Sequence, residues 1–228
     1  MERKQYQGQN QEKLKWLGFQ NPEKLKMELI EYEAGEFLCH QGQTLQHLLI
    51  VLSGEAKVFC NLENGKRLLV SFYEPGGLIG DLEFFLNTTV ADSSVQAMTK
   101  VLVLAVPFAE NREKLLDDKK FLFQLGNHLA HKIQRSTKNN AHNLLYPLET
   151  RLCSYIDTAC EQDVFDEKLT EVAEALGTSY RHLLRALNTL IEKKILRKES
   201  HKYVIIDRKS LREESKDFYK PIEGYLER

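Results

Sequence analysis

At 228 residues the chain has room for one substantial domain and a smaller one, and its 42% hydrophobic and 29% charged residues are those of a folded protein rather than a disordered one. A net charge of −1 excludes a uniformly basic nucleic-acid coat. The chain has no apolar run of about 18 residues and no apolar core in the polar stretch Met1 to Gly18, which predicts a cytoplasmic protein without a membrane partner. Cys39, Cys60, Cys153 and Cys160 form no CxxC pair, so neither a zinc ribbon nor a disulfide scaffold is expected.

Seven of the twelve glycines fall between Gly35 and Gly80, beside short apolar runs: Phe37 to Cys39, Leu48 to Leu52, Ala56 to Cys60, Leu68 to Phe72 and, later, Val101 to Val106. Strands of this length between glycine turns predict an antiparallel barrel or jelly roll over about Leu25 to Pro107. From Ala109 to Tyr146 the spacing becomes helical, through Leu115, Leu122, Leu125, Leu129 and Ile133, predicting one long helix or a short one running into a long one. Its stripe turns polar at Ser136, Asn140 and Asn143, which suits packing against a twin copy. The alternative is packing on its own barrel.

Pro147 opens a new helix, Leu148 to Glu161, since proline is tolerated in a first turn. Cys153 and Cys160 then lie one heptad apart on one face. Two helical turns separate them by about 10 Å, too far for a disulfide, and the residues read as core.

Thr170, Glu171, Val172, Ala173 and Leu176 make a two-turn helix that Gly177 stops, and Thr178 and Ser179 supply capping hydroxyls for the next helix, Ser179 to Lys194. Its expected buried stripe is Leu183, Leu184, Leu187, Leu190 and Ile191. Opposite the leucines stand Tyr180, Arg181, His182 and Arg185. A short helix, a glycine turn and a capped amphipathic helix form a helix-turn-helix, and arginines in the first turns of the second helix match guanine edges in a major groove. The charge agrees: Glu149 to Gly177 carries two basic residues against eight acidic ones, and Thr178 to Arg212 ten basic against three acidic. Two strands from Leu196 to Ile206 carry a basic tip, with Lys202 the candidate for phosphate contact. A polar helix from Ser210 to Arg228 closes the chain.

Tyr32-Glu33-Ala34-Gly35-Glu36, Gln41-Gly42, Val51-Leu52-Ser53-Gly54-Glu55-Ala56, Pro75-Gly76 and Gly80-Asp81-Leu82, followed by Val172-Ala173 to Gly177-Thr178-Ser179-Tyr180-Arg181, resemble the Crp/Fnr superfamily of bacterial regulators in residues and order. Ser179 to Leu184 and Val95-Gln96-Ala97 are similar to its YeiL branch. The resemblance implies an α+β chain. An N-terminal double-stranded β-helix effector domain of the cyclic-nucleotide-binding type takes 1–110, a dimerisation helix 111–146, and a winged helix-turn-helix 147–228. It implies a homodimer on a near-palindromic operator, with Thr170, Ser179, Tyr180, Arg181, His182, Arg185 and Lys202 on duplex DNA. RNA polymerase is a partner if the protein activates.

In cyclic-AMP-binding members a Gly-Glu-Leu turn holds the ribose, and an Arg-Ser pair about eleven residues beyond the glycine clamps the phosphate. Gly80, Asp81 and Leu82 match the turn with Asp81 for Glu, while Ala91 and Asp92 stand where Arg and Ser belong. Ser136 and Thr137 match positions that touch ligand from the long helix, or else lie in the dimer seam. A cyclic phosphate would meet a carboxylate instead of a guanidinium, so cyclic AMP is not the expected effector, which stays unknown. No cysteine precedes Cys39 and His40 and His47 are solitary, so neither an iron–sulfur cluster nor haem is expected, and no metal or other cofactor. Two other readings stay open. One is a ligand-sensing or redox-sensing module, through Cys39 or Cys60, whose helical domain contacts protein. The other is a cupin-like enzyme, for which the clustered histidines are missing; no catalytic residue is expected.

Overall fold

A computed structural model of the chain describes residues 2–6, 14, 17–63, 67–160 and 163–215, the side chains of 2, 3, 5 and 138–143 excepted. By contacts the described residues fall into two units, one within Met1–Cys60 and Phe72–Arg135, the other within Asn61–Ser71 and Ser136–Pro221.

The larger set of strands is β1 (Glu2–Gln5), β2 (Glu28–Tyr32), β3 (Phe37–Cys39), β4 (His47–Ser53), β5 (Ala56–Asn61), β6 (Arg67–Tyr73), β7 (Leu78–Ile79), β8 (Ser94–Ala97) and β9 (Val101–Pro107). They form two antiparallel sheets, in the orders β1-β2-β9-β4-β7 and β3-β8-β5-β6. β4 and β9 are buried along nearly their whole length, because each lies between two partners in its sheet and is covered on both faces. β5 instead alternates at its start, with Ala56 and Val58 inward and Lys57 between them. The turn joining β4 to β5 requires Gly54: at φ +83, a Cβ there would lie 2.2 Å from the Lys100 carbonyl oxygen.

β1, β2, β7 and β8, and a short helix α1 (Asp81–Leu86), have no counterpart among the expected apolar runs. These segments are short or charged, and sheet pairing overrides their weak local preference. Of the two readings of the next segment, the structure has the short helix followed by a long one, α2 (Phe108–Asp117) and α3 (Lys119–Leu145). Asp118 makes the break, in extended backbone, and its Oδ1 accepts from the Phe121 N–H at 3.1 Å. Leu115, Phe121 and Leu125 enter the core with Leu48, Ile50, Leu104, Val106, Phe84 and Phe108. Each such burial contributes about 1.5–3 kcal/mol before ordering entropy. The α3 stripe therefore packs on its own unit as far as Leu125, while the side chains of Asn140 and Asn143 lie outside the described residues.

The second unit contains α4 (Leu148–Ala159), β10 (Val164–Phe165), α5 (Leu169–Ala175), α6 (Tyr180–Glu192), β11 (Leu196–Glu199), β12 (Lys202–Ile205) and α7 (Arg208–Ser215). Pro147 is the N-cap of α4 rather than a first-turn residue. α4 ends at Ala159, so Cys160 stands in extended backbone at the C-cap and not on a helix face shared with Cys153. Among the described residues the sheet of this unit has a third strand beside the expected two, in the order β10-β12-β11. Val164-Phe165 was too short a run to declare itself. α7 is held by charge, with Asp157 accepting from Arg208 Nη1 at 3.0 Å and Arg212 Nε at 3.2 Å. The expected tail beyond Ser215 lies outside the described residues.

Candidate nucleic-acid interface and effector pocket

The end of α5 and the start of α6 follow from three residues. Gly177, at φ +61, turns the chain with its N–H on the Glu174 carbonyl, and the Thr178 N–H donates to the Ala173 carbonyl. Ser179 then caps α6, its Oγ accepting from the His182 N–H at 3.2 Å. Leu183, Ala186, Leu187 and Leu190 are buried, while Leu184 and Ile191, expected in that stripe, are only half-buried. A small Ala186 hid the true centre of the face from a search for large apolar residues.

Burial of that side turns the other outward. Thr170, Ser179, Arg181, His182 and Arg185 are exposed, and Tyr180 is 48% exposed. Arg181, Arg185 and Asn188 share one stripe at i, i+4 and i+7, which adds Asn188 to the expected set. Among the described residues no carboxylate lies within ion-pair distance of Arg181 or Arg185.

The basic excess downstream is mostly spent internally. Lys193 pairs with Glu214 at 2.7 Å, Arg197 with Glu199 at 2.6 Å, and Arg208 with Asp157 and Asp163. Lys202 is half-buried with its Nζ 2.7 Å from Asp166. Lys198, exposed near the hairpin tip, has no such partner among the described residues. The tip turns at Ser200, whose φ is +57.

In the first unit, Gly80 adopts φ +91 immediately before α1, where a Cβ would lie 2.5 Å from the His47 carbonyl oxygen. Asp81 follows, 1% exposed. Its carboxylate accepts from Lys132 Nζ at 2.7 and 3.0 Å, and His128 Nε2 stands 3.8 Å away. Lys132 lies 5.6 Å from the centre of the Tyr73 ring. Burial opposes the ammonium, yet Tyr73 and Asp81 hold it above the ordinary lysine value. Burial lowers His128 to about 4, against the pull of Asp81. Leu82 is half-buried, Ala91 buried and Asp92 exposed, its N–H donating to Glu83 at 3.0 Å. Ser136 is half-buried and Thr137 exposed on α3. Sequence reasoning missed Lys132 and His128, whose i, i+4 spacing on a helix was the available signal.

The cyclic nucleotide-binding domain family matches residues 29–118. The regulatory protein YeiL of Escherichia coli O157:H7 is 34% identical over 183 residues, 80% of this chain and 83% of that one. The chain belongs to the Crp/Fnr family of transcription regulators. This Crp/Fnr regulator is also 21% identical to the cAMP-activated global transcriptional regulator CRP of Salmonella typhimurium, over 73% of its own length and 83% of the relative's. A solved structure of a putative Crp/Fnr transcriptional regulator from Eubacterium rectale shares its fold at a TM-score of 0.74, with 14% identity over 91% of this chain and 95% of that one. These relatives are named as regulators. Among the described residues of this chain no helix is long and apolar enough to cross a membrane.

The thiols of this regulator are held protonated by burial, Cys39 at about 11 and Cys153 and Cys160 at about 12, with Cys60 also raised. Among the described residues no three His, Cys, Asp or Glu side chains are grouped to hold a metal ion.

Proposed function

We propose that this regulator binds duplex DNA sequence-specifically as a homodimer. α5 and α6 act as the helix-turn-helix of a winged domain, and the two-sheet unit acts as a jelly-roll effector domain that does not take cyclic AMP. One observation carries the reading: Arg181 and Arg185 stand exposed and, among the described residues, without a carboxylate partner, on a capped helix whose other face is buried. Unpaired guanidinium forks in the first turns of such a helix suit guanine O6 and N7, with Thr170, Ser179, Tyr180 and His182 placed for phosphates and flanking bases. β11 and β12 form the wing. Lys198 joins Lys202 there, and Lys202 must release Asp166 to reach a phosphate.

The dimer reading is supported by α3. Phe123, Gly126, Ala130, Ile133, Thr137 and Leu144 follow heptad a and d spacing, all on the exposed side, with Phe123 68%, Ile133 65% and Leu144 85% exposed. At Gly126 a Cβ would meet nothing within 4 Å. This seam differs from the one expected through Ser136, because the leucine stripe is taken up by the core. Two copies joined there would present two α6 helices to half-sites about one DNA turn, roughly 34 Å, apart. RNA polymerase is the further partner if the protein activates.

Against cyclic AMP stand Ala91, which offers no guanidinium, and Asp92, which adds negative charge where a phosphate would sit. No cofactor is proposed, since no cysteine precedes Cys39 to help hold an iron–sulfur cluster.

Selection of a preferred duplex from a random pool, followed by binding titrations at several salt concentrations, tests the reading. Arg181→Ala is expected to cost about 1–3 kcal/mol on the preferred site and less on random DNA. Equal loss on both would remove Arg181 from base reading. Ile133→Asp is expected to give a monomer in sedimentation equilibrium.

A further inference from the structure

α3 is fastened to its unit in two different ways along its length. Phe121 and Leu125 anchor its first turns in the apolar core. Between Leu125 and Arg135 no residue is fully buried, since His128, Leu129 and Lys132 are half-buried and Ala130 and Ile133 exposed. Over that stretch the helix meets the sheets through polar and charged side chains instead. His128, Lys132 and Arg135, at i, i+4 and i+7, face Asp81, Tyr73 and Glu74, with Arg135 in electrostatic reach of Glu74. Lys132 is the centre of this group, with two hydrogen bonds to a carboxylate that has almost no access to water. Glu83, the neighbouring buried acid, accepts from the Asp92 N–H and leaves Asp81 to Lys132.

Asp81 begins α1 directly after Gly80, whose φ of +91 suits glycine, in the turn that matches the ribose-binding turn of cyclic-AMP-binding relatives. We propose that Lys132 takes the place of a diffusible effector: its ammonium on Asp81 ties α3 to the effector domain and holds the regulator in its DNA-binding state without a small molecule. The inference rests on the DNA-binding reading above. α3 runs unbroken from Lys119 to Leu145 through this point, so the tether acts on one rod that also carries the dimer seam. An anion competing for Lys132 would leave Asp81 buried without a counter-charge, which makes the pocket resistant to phosphates.

The test uses the full-length protein and the duplex that the wild type selects from a random pool. The wild type is expected to bind it equally with and without added cyclic AMP. Lys132→Met, which keeps the stem and removes the charge, is expected to weaken binding at least about tenfold and to lower hydrogen-exchange protection over 126–135. Asp81→Asn should do the same. The exchanged pair Asp81→Lys with Lys132→Asp should bring both readouts back to within about threefold of wild type. Wild-type affinity and protection in Lys132→Met, or tighter binding by it, would overturn the tether. So would a gain of more than about tenfold on adding cyclic AMP to the wild type. If the wild type selects no duplex, the DNA reading fails, and the exchange measurement still decides whether Lys132 fastens α3.

Discussion

Two helices of this regulator set basic side chains four residues apart and use them in opposite ways. On α6, Arg181 and Arg185 face outward with no carboxylate near them among the described residues. On α3, His128 and Lys132 turn inward onto Asp81. The first arrangement leaves charge free to meet a polyanion. The second consumes it to position a helix. A guanidinium or an ammonium thus marks a binding surface only where the fold denies it an internal partner, and the same spacing marks a tether where the fold supplies one.

The largest expected effect bears on the tether side. Gly80→Ala should destabilise the protein by about 3 kcal/mol or more in denaturant titrations, because φ +91 strains a side chain and the new Cβ meets backbone at His47. A loss under about 1 kcal/mol would mean that the turn before Asp81 is not held rigidly.

Acid probes the same cluster. Burial lowers His128 to about 4, below its unfolded value of 6.5, so the folded state favours the neutral ring. Its contribution is complete above pH 6.5 and is lost as pH falls toward 4, a change of about 3 kcal/mol in unfolding free energy. His128→Gln should flatten that part of the stability profile. An unchanged slope would place the acid sensitivity elsewhere.

On the other helix the effects are smaller and appear in binding instead of stability. Arg185→Ala should cost about 1–3 kcal/mol on the preferred duplex while leaving the unfolding midpoint unchanged. At the wing, Lys198→Ala should reduce the slope of log affinity against log salt by about 1. Lys202→Ala should reduce it less, since Lys202 gives up Asp166 to reach a phosphate. The reverse order would show that the ion pair opens without cost.

The smallest effect should be that of thiol alkylation. At pH 8, Cys153 and Cys160 should resist iodoacetamide in the folded protein, and DNA binding should not change. Fast labelling of either would contradict the packing of the second unit.

Much of the α5–α6 region was legible beforehand because its determinants are local. Gly177, Ser179 and the leucines of α6 act within a few residues of one another, and capping and periodicity are readable at that range. The stripe was misjudged only where Ala186, a small residue, holds the close approach that larger neighbours seemed to claim. The charge footprint was legible in sum but not in placement. Counting ten basic residues over Thr178 to Arg212 did not reveal that Lys193, Arg197, Lys202 and Arg208 are answered by acids. Several edge and short strands were missed, because β2, β8 and β10 carry little hydrophobic pattern of their own and exist through pairing.

The sequence by itself determined the two kinds of architecture, the helix–glycine–helix turn and the outward face of α6, since each depends on neighbours along the chain. It also determined that an alanine, with no guanidinium to offer an anion, stands at position 91. Only the tertiary structure decided which face of α3 is buried and which is exposed, and that Asp81 is already engaged. Lys132 and Asp81 lie 51 residues apart, and nothing local to either announces the other. Their pairing arises where two sheets and a helix bring them together, in a place dry enough for one ammonium to hold one carboxylate.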